Sequence, residues 1–410
     1  MPTPGDHRLD RFLLTLAQSL HASGSPAHDT ERLVGELGAR AGVRAQCFSL
    51  PTQVSVAVTD DDGAQLVRLL RVPVADYNMA RLIALEELVA GFSGADSLAD
   101  AEVRLTAIMA APPPWAGWRF VICGALLSAT VAALFRGGYP EMICGGITGA
   151  AFVTGYQALS RRARLTPVAP VLLCAMAALL ATALLAVFPR QTVFVTILSG
   201  VVLLLPGFVS TLALAELATG NLLSGSGRLA GAFITTLMMG AGVAIGSTFG
   251  AAILPVAAAG PAAPVPVPVY WASVAALGVS FVGVLQAPWR AAPVSAGACV
   301  LALLISTTTA AAYGDIAGAF VAAFAVAAAG RAYQYATGRP ATLVQVPGLL
   351  ALVPGSVGFR GLNALIEQNF VEGVKITSGM IMTATALAVG TLLANGLAPR
   401  GPAPTAKPRP

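Results

Sequence analysis

Charged side chains are scarce in this chain: Asp, Glu, Lys and Arg make up 10% of its 410 residues, whereas apolar residues make up 56%. No charged residue occurs between Arg228 and Arg290. Soluble domains carry about 25% charged residues, so this composition excludes an ordinary soluble protein and predicts a chain that lies in a lipid bilayer. The first hundred residues carry a normal complement of charge, which predicts a second part that is exposed to water.

Cysteine and histidine are also few, with five and three copies respectively, and no C-x-x-C pair occurs. We therefore expect no disulfide, metal site or cofactor. The water-exposed part has no glycine-rich phosphate loop and no nucleophile beside an obvious base, which argues against an enzyme. The net charge of +5 is not gathered on one amphipathic face, so we expect no nucleic-acid partner.

Residues 1–114 are predicted to form a small cytoplasmic α+β domain. An apolar stripe at helical spacing runs from Leu9 to Leu20, and Ser25 is the predicted N-cap of a second helix. Alternating valines at 54, 56 and 58 and an apolar run over 66–72 predict two strands around a turn. Helical patterns return at about 79–90 and 97–110.

Beyond a proline-rich hinge at 112–114, the sequence is organised in apolar runs long enough to cross a bilayer. Ten such runs predict an α-helical polytopic membrane protein with ten transmembrane helices. They lie near 118–135, 141–159, 168–188, 191–217, 229–254, 269–287, 294–313, 315–333, 342–366 and 376–397.

The loops between these runs predict an orientation, because Lys and Arg gather on the cytoplasmic side of membrane proteins. With both termini in the cytoplasm, ten basic residues are inside and three, Arg136, Arg190 and Lys375, are outside. The ten inside are Arg161, Arg162, Arg164, Arg228, Arg290, Arg331, Arg339, Arg400, Lys407 and Arg409. The predicted location is the inner (plasma) membrane.

Two Pro-Gly pairs interrupt the apolar runs at matching positions. Pro206-Gly207 and Pro354-Gly355 are 148 residues apart, and the same offset relates Asn221 to Asn369. The same offset also relates Gly200 to Gly348 and Gly225 to Gly373. Because each copy holds five spans, an odd number, the copies must cross the membrane in opposite senses, which predicts a 5+5 inverted repeat of the kind that secondary transporters use. The predicted parts are a first half at 115–256, a linker at 257–268, a second half at 269–399 and a disordered basic tail at 400–410.

The interrupted spans are the predicted substrate site. A Pro-Gly break within lipid is tolerated only where protein or a water-filled cavity surrounds it, and the half-helix beyond it presents free N–H groups to a carboxylate. The alternative is a structural kink. The candidate substrate-binding residues are Pro206, Gly207, Ser210, Thr211, Asn221, Pro354, Gly355, Ser356, Arg360 and Asn369.

One acidic residue, Glu216, lies ten residues after the first break and is the candidate for proton coupling, since ionisable groups in spans are costly and commonly functional. The alternative for Glu216 and Arg360 is that both lie near span ends and reach water. Elsewhere, Gly242, Gly246 and Gly250 repeat every four residues and predict a close helix–helix contact.

Three segments give the chain a family resemblance: HASGSPAHDTERLVGELGARAG (21–42), PGFVSTLALAELATGN (206–221) and VPGSVGFRGL (353–362). Over about residues 10–397 the chain resembles the threonine/serine exporter family, with both membrane halves fused in one chain. The resemblance implies proton-driven export, as an antiporter, of small hydrophilic metabolites, with threonine and serine the founding substrates. Some relatives are linked instead to dicarboxylates such as succinate.

Two other classes of function stay open at this point. One is a membrane-anchored sensor or enzyme that works through residues 1–110; the other is a passive channel, which the sequence hardly separates from a carrier. The expected partners are a small-molecule substrate, protons and the lipid bilayer. A homo-oligomer is left open.

Overall fold

The structure is a computed structural model that describes residues 6–59, 63, 65–73, 77–94, 97–162, 164–253, 263–353, 361 and 370–397. The second predicted break, with Pro354, Gly355, Ser356, Arg360 and Asn369, lies outside the described residues. The tail at 400–410 and the first half of the predicted linker, 257–262, also lie outside them.

Residues 6–110 are termed here the N-terminal unit, and their described part contains four α-helices and three strands around a hydrophobic core of their own. The elements are α1 (Asp6–Ala22), α2 (Ala27–Arg40), β1 (Arg44–Leu50), β2 (Gln53–Thr59), β3 (Gln65–Arg71), α3 (Met79–Ala90) and α4 (Leu98–Ala110). The strands form an antiparallel sheet in the order β1-β2-β3. The core takes one face of the sheet through Val54, Val56 and Val58, as the alternation predicts, and the buried stripe of α1.

Two details of this unit differ from the sequence expectations. Strand β1 was not predicted, because its residues, RAQCFSL, alternate only weakly and leave Phe48 about half exposed. Helix α2 begins one residue later than expected: Pro26, not Ser25, is its N-cap, and the proline side chain makes no hydrogen bond to the first turn. The first N–H groups of α2 must therefore find acceptors from elsewhere.

The remaining described elements are apolar helices. They are α5 (Trp118–Leu134), α6 (Tyr139–Ser160), α7 (Ala169–Ala183), α8 (Val193–Gly200), α9 (Gly207–Ala218), α10 (Leu222–Ile253), α11 (Val267–Val284), α12 (Ala292–Tyr313), α13 (Asp315–Thr337), α14 (Thr342–Leu352) and α15 (Phe370–Leu397). Within the described residues, seven helices are long and apolar enough to cross a membrane, or eight if a bent pair is one span. The protein is therefore a polytopic helical membrane protein.

Helix α10 has 32 residues and a length of about 48 Å, which exceeds the roughly 30 Å of a hydrocarbon core. Its beginning is the end that extends toward the N-terminal unit, since Gly227 faces the ring of Pro51. Further along, Gly242 and Gly246 lie so close to the backbone of α7 that neither site has space for a side chain. The predicted close contact at the repeated glycines is confirmed, with α7 as the partner.

Helices α5–α10 are termed here the first membrane segment and α11–α15 the second. The helices of the two segments have corresponding neighbours. In the first, α6 packs on α5, α7 and α8, and α7 packs on α10. In the second, α12 packs on α11, α13 and α14, and α13 packs on α15. The two segments meet through α5 and α11, and α9 contacts α15.

Candidate functional site

The first predicted break is present between α8 and α9. Helix α8 ends at Gly200, a short 3-10 turn covers Val202–Leu204, and α9 begins at Gly207 with Pro206 as its N-cap. Leu205 is extended (φ −59°, ψ 118°), which is the conformation that a following proline imposes. The chain bends by 52° between the segments Val193–Gly200 and Val202–Ala218.

Protein contacts this break on two sides. Residues 196–201 are all buried, and Val201 belongs to the core that α6, α7 and α10 form. On the other side, Val202, Leu203 and Phe208 pack against a core shared by α5, α11 and α14. The residues of the break itself, 202–206, are half-buried, so protein lines the break on two sides without enclosing it.

The start of α9 is an uncapped helix N-terminus. Pro206 makes no side-chain cap, so the first N–H groups lack partners within the helix and add to the positive end of its dipole. The buried hydroxyls of Ser210 and Thr211 lie one turn further on. Each donates to a carbonyl of its own helix, Ser210 Oγ to Pro206 O at 2.8 Å and Thr211 Oγ1 to Gly207 O at 3.1 Å. Their lone pairs remain able to accept a hydrogen bond.

Glu216 lies at the other end of α9, about 14 Å from Gly207 at the rise of an α-helix. Its side chain is 1% exposed, and its Oε2 is 3.1 Å from Nε of Arg228 on α10. The N–H of Arg228 is not aligned for a hydrogen bond to that oxygen, so the contact is mainly Coulombic. The N–H of Ala27, the first residue of α2, donates to Oε1 at 3.5 Å.

Glu216 thus supplies the acceptor that the uncapped start of α2 requires, and its charge suits the positive end of that helix. It joins the membrane part to the N-terminal unit. Arg228, its partner, lies near the start of α10, which is the end of that helix closest to the N-terminal unit. Glu216 therefore lies near one end of the membrane helices and not midway along them.

Other polar groups surround this ion pair. His21 is buried, and burial and, more weakly, the charge of Arg228 lower its pKa, against a hydrogen bond with the carbonyl of Pro73 that raises it. His21 Nδ1 and Ser224 Oγ are buried without a hydrogen-bond partner, as are Glu216 Oε2 and Arg228 Nε. The contact between the N-terminal unit and α9–α10 is therefore buried but incompletely hydrogen-bonded, which makes it costly to keep closed.

The structure does not bring all described candidate residues together. Pro206, Gly207, Ser210 and Thr211 share the start of α9, whereas Asn221 lies beyond its far end, where its Nδ2 donates to Thr219 Oγ1 at 3.3 Å. Asn221 is thus closer along the chain to the Glu216 contact than to the break.

Several residues at these contacts were not predicted as functional. Arg228 had been counted only as a loop charge, although it lies twelve residues after Glu216. Glu141, at the start of α6, is 1% exposed and accepts hydrogen bonds from the N–H groups of Gly138 (2.8 Å) and Thr192 (2.7 Å). Its carboxylate thereby holds the starts of α6 and α8 together. A glycine N-cap followed three residues later by a glutamate is the sequence signal from which this role could have been predicted.

A groove of about 560 Å³ lies away from the break, beside β1 and α2, and Glu31 and Cys47 line it. Burial raises the pKa of Cys47 to about 12 and raises that of Glu31, so the thiol stays protonated at neutral pH and is a weak nucleophile. In the described part of the chain, no three His, Cys, Asp or Glu side chains lie close enough to hold a metal ion.

Two family descriptions match the chain. "Putative threonine/serine exporter" matches residues 11–250, and "Threonine/Serine exporter, ThrE" matches residues 269–396. A relative named "Probable threonine/serine exporter", from Mycobacterium tuberculosis, is 25% identical over 350 residues. The match covers 82% of this chain and 65% of that relative, so the chain spans about two thirds of the relative's length. No solved structure matches the chain. The first match alone extends over more than half of the sequence and contains the interrupted helix, and the chain therefore belongs to the threonine/serine exporter family.

Proposed function

We propose that the protein is a secondary transporter that exports threonine or serine, with its substrate site at the interruption between α8 and α9. The observation that carries this proposal is the 52° break, which protein lines on two sides and which ends in an uncapped helix N-terminus. Interrupted helices with exposed N–H groups are the recurring way in which transporters hold the carboxylate of a substrate.

The corresponding neighbours of the two membrane segments support a ten-span, 5+5 inverted repeat. A second observation agrees with it: in the described chain, Arg136 and Gln286 are the two non-glycine residues with positive φ, at 60° and 53°. They are 150 residues apart, and each follows the end of a corresponding helix, α5 or α11. With the positive charges inside, the proposed arrangement has both termini in the cytoplasm, and the proposed location is the inner (plasma) membrane.

In this proposal the first N–H groups of α9 bind the substrate carboxylate. Ser210 and Thr211 accept from its ammonium or hydroxyl through lone pairs that their own helix leaves free. The second half contributes the matching segment, whose candidates are Pro354, Gly355, Ser356, Arg360 and Asn369. A site between oppositely oriented halves can open to either side by rocking of one half against the other.

Glu216 remains the proposed proton-coupling residue, because it is the buried carboxylate of the interrupted helix. Its protonation would remove the attraction to Arg228 and weaken the hydrogen bond from Ala27. A proton that enters from outside would in this way change how α9 is held at its far end.

The test is efflux of labelled threonine from proteoliposomes, with and without an imposed pH gradient. Serine and succinate serve as alternative solutes. We expect Thr211→Val to reduce threonine flux at least tenfold, since losing one hydrogen bond to a charged group costs about 1.5–3 kcal/mol. Thr182→Val is the matched control: Thr182 is equally buried and its hydroxyl makes the same backward bond, at 2.9 Å to Ala178 O, but it lies on α7.

Absence of threonine, serine and succinate flux in a correctly folded preparation would rule out the proposed function. Flux of succinate alone would keep the transporter and replace the substrate class. Glu216→Gln should insert and fold but lose stimulation by the pH gradient, and retained stimulation would remove Glu216 from the mechanism.

A further inference from the structure

The first turn of α3 enters the membrane part of the protein. Met79 is 1% exposed and belongs to the core that α5, α11 and α14 form, not to the core of the N-terminal unit. It lines a crevice with Phe281 of α11, Ser295 of α12 and Pro347 of α14, and the crevice is too narrow to admit a water molecule. A side chain of the N-terminal unit therefore fills the junction where the two membrane segments meet.

Backbone hydrogen bonds hold this turn in place. The N–H groups of Met79 and Ala80 donate to the carbonyls of Leu285 (2.9 Å) and Gln286 (3.1 Å), just beyond the end of α11. The start of α3 and the end of α11 thus satisfy each other's unpaired groups, and their dipoles meet with opposite signs. The Gln286 side chain also bonds both backbone groups of Trp115, each at 2.9 Å.

The same segment contacts the interrupted helix. The Tyr77 ring packs edge-on against Phe208, two residues after Pro206, with centroids 5.5 Å apart. Tyr77 also lies against Gly24, which has a φ of +88° and where a Cβ atom would be only 3.0 Å from the Tyr77 ring. Asn78 donates its N–H to Ser23 O at 3.0 Å, so the segment is tied to the turn between α1 and α2.

We propose that Tyr77–Ala80, termed here the gate segment, is a gate that closes one end of the pathway between the two membrane segments. The inference rests on the proposed transport function and adds the element that controls access to its site. The gate segment touches the start of α9 through Tyr77, while Glu216 ties the end of α9 to α2. The N-terminal unit therefore holds the interrupted helix at both ends.

The physical reason is exclusion. Solute cannot pass a crevice that excludes water, so Met79 must leave it before this end of the protein opens. Withdrawal exposes Met79, separates Tyr77 from Phe208 and breaks two backbone hydrogen bonds, whereas the polar contact at Glu216 is already incompletely bonded. The closed state is thus held by few contacts, as a gate that opens in every cycle requires.

Native Cys299 reports on the state of this gate. It is 0% exposed, belongs to the same core as Met79, and lies one helical turn beyond Ser295, which lines the crevice. Alkylation of Cys299 by N-ethylmaleimide, resolved by mass spectrometry of the full-length protein in detergent, therefore measures opening without any substrate. We expect Met79→Ala to speed labelling at least tenfold and Met79→Leu, which keeps the volume, to label as the wild type does.

Met109→Ala is the matched control, because Met109 packs on the core of the N-terminal unit, outside the junction. Unchanged Cys299 labelling in Met79→Ala, or equal acceleration in Met109→Ala, overturns the gate. If Met79→Ala does not fold, hydrogen exchange in the wild type decides. In proteoliposomes that show threonine flux, threonine should speed exchange of a peptide covering residues 77–83 and leave α4 unchanged, and equal exchange with and without threonine there overturns the gate.

The two proposals fail separately. If threonine is not transported but Met79→Ala still speeds Cys299 labelling, threonine is rejected as the substrate and the gate is kept. Threonine flux with Cys299 labelling that does not respond to Met79→Ala keeps the transporter and rejects the gate.

Discussion

The ion pair between Glu216 and Arg228 gives a prediction that separates docking of the N-terminal unit from proton coupling. Two unit charges 3.1 Å apart attract by about 5 kcal/mol at an effective dielectric constant near 20. Much of this is offset by desolvation, because the Glu216 side chain is 1% exposed and that of Arg228 is 16% exposed. We expect a net coupling of about 2 kcal/mol, within the range of measured contacting pairs.

A coupling of about 2 kcal/mol corresponds to about a 30-fold change in the equilibrium for opening of the contact. The start of α2 reports it, since the N–H of Ala27 donates to Glu216. Hydrogen exchange of the peptide covering residues 24–34 should be compared in the wild type, Glu216→Gln, Arg228→Gln and the double variant. Each single variant should speed exchange, and the double variant should speed it by less than the product of the two.

Glu36→Gln is the control on the same helix. It removes the same charge from an ion pair of 2.8 Å with Arg32, but there the side chains are 52% and 42% exposed, and exposed pairs contribute about 0.2–1 kcal/mol. If Glu216→Gln speeds exchange no more than Glu36→Gln, or if the effects of the two single variants simply multiply, Glu216 does not hold α2 and the reasoning is refuted.

Two further predictions concern packing and pH. Gly246→Ala should lower the thermal stability of the membrane part by about 1–3 kcal/mol, because a methyl group there overlaps the backbone of Ala175. Gly231→Ala on the same helix α10, with nothing within 4 Å, should be neutral or stabilising, and equal Tm shifts would contradict the close contact. In the N-terminal unit, burial and then the charge of Asp29 raise the pKa of Glu86 from 4.5 to about 7. The folded state therefore holds this proton more tightly than the unfolded chain, and the associated stability is present below pH 4.5 and lost as the pH rises through 7. Glu86→Gln should flatten that part of the stability–pH profile, and an unchanged profile would refute the assignment.

The sequence predicted the helices well because each rests on local chemistry. The run of apolar residues that forms α13 is long enough to cross a bilayer whatever surrounds it, and Pro206 cannot continue the helix that precedes it. The break between α8 and α9 and the close contact at Gly242 and Gly246 follow from backbone geometry alone. For the same reason the alternating valines of β2 predicted which face of the sheet is buried.

What the sequence could not determine is which distant segments meet. Nothing within α9 indicates that Glu216 would lie at the start of α2, almost two hundred residues earlier, or that Arg228 would complete the pair. Met79 is an ordinary apolar residue of an amphipathic helix, and only the tertiary structure places it between α11, α12 and α14.

Local hydrogen bonds and hydrophobicity therefore determined the elements of this protein and the position of its interruption. Contacts between segments far apart in the chain decided the rest: that Glu216 lies against α2 and Arg228, and that the N-terminal unit contacts the interrupted helix at both ends. The physical reason is that periodicity reports how a residue faces its own helix, whereas the partner across an interface depends on how the whole chain packs.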